Sequence, residues 1–99
     1  MSGIVVVGQV GRDLVLTVEE LPAAGSAAAV LERQELLGGK GANQAVGCRQ
    51  LGAEVGLVGV VGTDPAGEAV LAQAAGDGID VGAVVRRSGA PTALLVDLV

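Results

Sequence analysis

Six residues, Gly38-Gly39-Lys40-Gly41-Ala42-Asn43, set three glycines, one cation and one amide at the start of a helical pattern. Glycine lets backbone approach a ligand closely, and a helix amino terminus presents unpaired N–H groups. Lys40 can donate to ligand oxygens. Asn43 both donates and accepts, which suits a hydroxyl that does the same. Asp13 follows the first β-branched run and can accept from a second hydroxyl. Together Asp13, Gly39, Lys40 and Asn43 have the makings of a polyol site. A flexible loop followed by an ordinary helix cap accounts for the same residues, and residue types alone do not separate the two.

Other chemistries are excluded more firmly. A Walker loop needs a glycine six residues before its lysine and Ser or Thr after it; here those positions hold Gln34 and Gly41. A Rossmann fingerprint fails at "GQVGRD", which has one spacer too many and leads into a strand pattern where a helix is required. The chain has no histidine, so no Ser/His/Asp set exists, and no zinc-ligand spacing is present. Its net charge of −5 and its lack of any Phe, Tyr or Trp argue against a nucleic-acid partner. No apolar run is long enough to span a bilayer. The start "MSGIVVVGQVG" lacks the basic and apolar regions of a secretory signal. Cys48 is the single cysteine, expected as a small hydrophobe on a helix, and fits a reducing, cytoplasmic setting.

These residues must be positioned by 99 residues of small side chains. "GIVVVG" reads as a buried strand, and "DLVLTVEE" as a second, alternating one. Pro22 and Gly25 mark a turn. "AAAVLERQELL" is expected as the returning strand of a hairpin. The spacing of Ala42, Ala45, Val46 and Arg49 predicts a helix over 42–51 with Gly52 as its stop. "EVGLVGVVG" is expected as one buried strand. "TDPAGEAVLAQAAGDG" is the clearest helix, with Asp64 as cap, Pro65 at the first position and Glu68 in the first turn. "IDVGAVVRR" and "TALLVDLV" read as strands. Asp80, Arg86, Arg87 and Asp97 are expected to be solvated, and Thr92 to pack. Strands alternating with helices imply an α/β fold with an open, largely parallel sheet. The early hairpin stands outside it, as a flap at the strand ends where such sheets bind ligands.

"GGKGANQAV" resembles the first signature of the ribokinase-like (PfkB) carbohydrate kinases. The resemblance extends through "VVVGQVGRDLVL", "LPAAGS", "LGAEVGLVGVVGTDPAGE", "GID" and "PTALLV", in family order, over essentially the whole chain. It implies a ribokinase-like sheet flanked by helices, with a small β-sheet lid formed by strands at about 14–36 and 92–99. It implies ATP-dependent phosphorylation of a sugar or nucleoside hydroxyl, with Asp13, Gly39, Lys40 and Asn43 holding the substrate. The chain is expected to be the amino-terminal part of such a domain, residues 1–99. The family's catalytic base, ATP site and monovalent-cation loop lie beyond it, so no catalytic, cofactor or metal residue is expected here. ATP, Mg²⁺ and K⁺ belong to the full-length parent, as does a homodimer through the lid. In ribokinases proper an Asn commonly stands two residues before the Asp; here Gly11 does, which removes one sugar-binding amide. The competing expectation is a non-catalytic remnant: a weak sugar binder, or an inert fragment that self-associates.

Overall fold

The structure, a computed structural model, describes residues 3–99. The β-branched run forms β1 (Gly3–Val7), which pairs in parallel with β4 (Glu54–Val58), Val6 standing opposite Leu57. The chain returns beside β4 at Asp80, whose N–H donates to the Val55 carbonyl while its own carbonyl accepts from Leu57, both at 2.9 Å. β5 (Val60–Gly62) pairs in parallel with β6 (Val85–Arg87). Helix α1 (Lys40–Gln50) packs on β1 and β4.

A second, three-stranded sheet has the order β3-β2-β7. β2 (Gly11–Val18) and β3 (Val30–Gly38) form the expected hairpin, antiparallel from Gly11 opposite Gly38 to a register shift at Thr17–Val18. β7 (Ala93–Leu98) adds to β2 in parallel, with Asp13 opposite Leu95. Helix α2 (Pro65–Gly76) packs on β2, β3 and β5, and its Gln73 side chain accepts from the Leu37 N–H at 2.8 Å, tying the helix to β3.

Three elements differ from expectation. α1 begins at Lys40, not at residue 42, because the chain turns at Gly39, and Lys40 and Gly41 already lie in the first turn. "EVGLVGVVG" is two strands, broken at Gly59 where the chain passes Gly8: a Cβ at 59 would stand 2.7 Å from the Gly8 carbonyl oxygen. "IDVGAVVRR" is a strand only over its last three residues. The Asp80 carboxylate accepts from Gly82 N–H and Val84 N–H reaches back to the Val81 carbonyl, so pairing resumes only at Val85.

The core is made of small side chains: Val6, Val10, Val55, Leu57, Val61, Val70 and Ile79, with Ala42, Ala45 and Ala74 at the helix contacts. Helix α1 covers one face of the β1-β4 pair. On the other, Val5 is 68% and Val7 76% exposed, although parallel sheets ordinarily bury both faces. The accessible surface is 6163 Å², against about 5,100 Å² for a compact monomer of this mass. The radius of gyration is 15.3 Å, against about 13 Å for a compact domain of this length.

Candidate functional site

The site forms where β3 ends and α1 begins. Gly11 pairs with Gly38, and two residues along, on the same face of β2, stands Asp13. A side chain at Gly38 would collide with the Asp13 carboxylate, so the bare backbone there is what lets the acid lie against the turn. Gly39 follows at φ 95°, a left-handed conformation that favours glycine, and a Cβ on it would stand 2.5 Å from the Gln9 carbonyl oxygen. A Cβ on Gly41 would lie 2.7–2.9 Å from the backbone of Gly8 and Gln9. The glycines of "GGKG" therefore make room for protein: the first turn of α1 is pressed against the β1–β2 connection. The Gln9 carbonyl accepts from Ala42 N–H at 3.1 Å, and Gly39 accepts from Asn43 N–H at 2.9 Å. The N–H groups of Lys40 and Gly41 make no hydrogen bond among the described residues.

The polar side chains that this turn brings to the head of α1 are uncommitted. Lys40 and Asn43 are exposed in the first turn, and Asp13 is half-buried. None of the three side chains makes a hydrogen bond or ion pair among the described residues. Desolvation, and then the negative charge of Asp97 from β7, push the Asp13 carboxyl above its ordinary range. This is a carboxylate short of donors, lying against the Gly38 turn that leads into the helix on which the exposed Lys40 and Asn43 stand. The arrangement suits a neutral ligand rich in hydroxyls.

Gly11 is crowded from the other side. A Cβ there would lie 2.9 Å from the Ala93 carbonyl oxygen and 3.1 Å from the Ala93 Cβ. Strand β7 thus occupies the space that a larger residue would need, and an asparagine at 11 requires β7 to move.

Asp64 is the opposite case from Asp13. It caps α2 as expected, its Oδ1 accepting from Gly67 N–H at 2.8 Å. It also accepts from the Thr92 hydroxyl at 2.6 Å and, through Oδ2, from the Thr92 N–H at 2.9 Å. These donors, the Thr92 hydroxyl foremost, hold its carboxyl down to about 2. Thr92 is buried, and its hydroxyl accepts from Gly62 N–H at 3.0 Å. Packing alone does not describe this threonine. Arg86 is likewise engaged, its Nε donating to the Gly62 carbonyl at 3.0 Å. The signal available in the sequence was the pair of glycines flanking Asp64 in "GTDPAG", which a capping role leaves unexplained.

Among the described residues no group of three or more His, Cys, Asp or Glu is placed to hold a metal ion. At the start of α1 the Gln9 carbonyl takes one amide, that of Ala42, and leaves those of Lys40 and Gly41 without a partner among the described residues.

An α/β body with a three-stranded sheet at its strand ends describes a ribokinase-like fold. The family pattern of pfkB family carbohydrate kinases matches residues 1–99, and the chain belongs to that family. It is 43% identical over 79 residues to the ribokinase of Bacillus subtilis (strain 168), covering 80% of this chain and 27% of that one. The structure of ribokinase from Giardia lamblia superposes with a TM-score of 0.87 at 33% identity, over 100% of this chain and 30% of its own. That of Arabidopsis thaliana ribokinase complexed with ribose and ATP gives a TM-score of 0.81 at 33% identity, over 97% and 31%. The chain thus spans about a third or less of the length of these relatives. No helix among the described residues is long and apolar enough to cross a membrane.

Proposed function

We propose that this chain supplies the sugar-holding part of an ATP-dependent carbohydrate kinase. Asp13 and Asn43 bind hydroxyls of a sugar or nucleoside, Lys40 donates to its oxygens, and Gly39 makes the turn that leads into the helix presenting Lys40 and Asn43. The sheet β3-β2-β7 is the lid, whose closure excludes water as a competing acceptor. The observation that carries this reading is the contrast between two aspartates: Asp64 is saturated by protein donors, while Asp13, packed against the Gly38 turn that leads into α1, has none among the described residues. Phosphoryl transfer itself needs a base within reach of the acceptor hydroxyl and ATP held in line. ATP, Mg²⁺ and K⁺ are assigned to the remainder of a full-length kinase, and a cytoplasmic location to the whole.

The test is a titration of the chain with pentoses, hexoses and nucleosides, followed by the Asn43 side-chain amide and the Asp13 backbone resonance. Shifts at both, lost in Asp13→Ala, are expected. Losing one hydrogen-bond partner costs roughly 1–3 kcal/mol, or about one to two decades in affinity. No response at either residue to any member of the panel refutes the assignment. Purified chain with Mg²⁺, K⁺, ATP and the same acceptors is expected to form no acceptor-dependent ADP.

A second reading is association between two copies through the lid. Strand alternation places Leu14, Leu16, Leu94, Val96 and Leu98 on the lid face opposite Asp13, and Leu94, Val96 and Leu98 are each 47–53% exposed.

A further inference from the structure

We propose that Asp64 and Thr92 are positioning residues for the sugar site: they latch the root of lid strand β7 to the amino end of α2 and so set the place of Asp13. The inference rests on Asp13 being a sugar ligand. A cap needs one bond, from Gly67 N–H to Asp64. Here both carboxylate oxygens also reach a residue 28 positions away, one taking its hydroxyl and the other its N–H. The segment between β5 and α2 is shaped to receive it. A Cβ on Gly62 would stand 2.5 Å from the Ala90 carbonyl oxygen and 2.9 Å from the Thr92 nitrogen. One on Gly67 would strike the Gly62 carbonyl and lie 2.9 Å from the Thr92 hydroxyl. "GTDPAG" is therefore a seat with Thr92 in it.

The seat is coupled to the site by continuous contact. Thr92 immediately precedes β7. Ala93, the first residue of β7, pairs with Gly11, and its carbonyl lies where a side chain at 11 would begin. Gly11 opens β2, and Asp13 stands two residues further, in register with Leu95 of β7. A shift of Thr92 in its seat moves Ala93 against Gly11 and carries Asp13 with it. The lid is also attached through the β1–β2 connection and, at Gly39, through β3 running into α1, so β7 gives it a further root.

Thr92→Val keeps the shape and removes the hydroxyl, leaving Gly62 N–H without its acceptor. Hydrogen exchange on the chain is expected to show amides of β7 and of Gly11–Leu16 exchanging about tenfold faster or more, with β1 and β4 unchanged. Thr92→Ser is expected to keep the protection of the parent chain. In a D-ribose titration, Thr92→Val weakens binding and Thr92→Ser does not. Should Thr92→Val not fold, Asp64→Asn carries the comparison, since it keeps an acceptor for Gly67 but sets an amide against the Thr92 N–H. Unchanged lid exchange, an equal rise in β1 and β4, or failure of Thr92→Ser to retain protection overturns the latch. The expected exchange pattern in a parent chain that binds no ribose or other sugar overturns the site assignment and leaves the latch standing.

Discussion

Helix α1 contains two glycines whose replacement by alanine should act with opposite sign. Gly47 has nothing within 4 Å of the place where a Cβ would stand. Gly47→Ala should therefore gain the ordinary mid-helix difference, about 0.8–1 kcal/mol. Gly41 would set its Cβ 2.7 Å from Gly8 C, 2.8 Å from Gly8 Cα and 2.9 Å from Gln9 N. All three are backbone atoms in a strand-end connection and cannot rotate away, so the helix start or the connection must move. Overpacking of this kind costs about 1–3 kcal/mol, and with rigid atoms on both sides the upper half of that range applies. Set against a propensity gain of at most about 1 kcal/mol, the net is a loss of about 1–2 kcal/mol. The two variants should thus differ by about 2–3 kcal/mol, or roughly 8–24 °C in midpoint for a domain of this size. Thermal melts followed by circular dichroism, at one protein concentration, read the difference directly. If Gly41→Ala melts at or above the parent while Gly47→Ala behaves as stated, the glycines of "GGKG" are not fitted to protein backbone, and the loop-and-cap account of this stretch returns.

Three further outcomes follow from the charges and surfaces. Asp13 has a raised carboxyl pKa, so the folded chain holds that proton more tightly than the unfolded chain, and stability falls as pH rises through the raised value. Asp13→Asn should raise the melting midpoint at pH 7, leave it unchanged below about pH 3.5, and abolish sugar binding; a lower midpoint at pH 7 contradicts the desolvation argument. Asp64 has the opposite sign: its pKa of about 2 gives a contribution fully present above about pH 4 and lost as pH falls towards 2, so Asp64→Asn should flatten the acid limb of stability against pH. The bare apolar surface should make the chain self-associate in sedimentation velocity, and Val96→Lys on the lid's outer face should shift it towards monomer; a monodisperse parent monomer removes the lid-pairing reading.

The local grammar of the fold was legible. The period-two hairpin, the Asp64-Pro65 helix start and the stop of α1 all rest on signals within a few residues of one another, and each is present. What failed was non-local. Nothing near Gly59 reveals that Gly8 passes beside it, so one apolar run reads as one strand. Asp64 and Thr92 each have an adequate local explanation, and the bonds between them join residues 28 apart. The glycines at 38–41 were legible as a demand for closeness. Whether the close neighbour was ligand or backbone depended on Gln9, Gly8 and Asp13, which other strands bring there.

The distribution of crowded glycines suggests how a chain with no aromatic residue can hold a site. A core of Val, Leu, Ile and Ala removes little area from water per side chain and fixes orientation weakly. Gly8, Gly39, Gly41 and Gly59 bring the ends of β1 and β4 and the start of α1 into backbone contact, and Gly11, Gly62 and Gly67 do the same for β7 and α2. By contrast Gly25, Gly47, Gly52, Gly56, Gly76 and Gly89, on the turns, helices and strand away from that edge, meet nothing within 4 Å. Backbone contacts are short and have no rotamers, so they transmit a displacement that a methyl-lined interface would absorb. The closest backbone packing in this chain therefore lies at the carboxyl edge of its sheet and the start of α1.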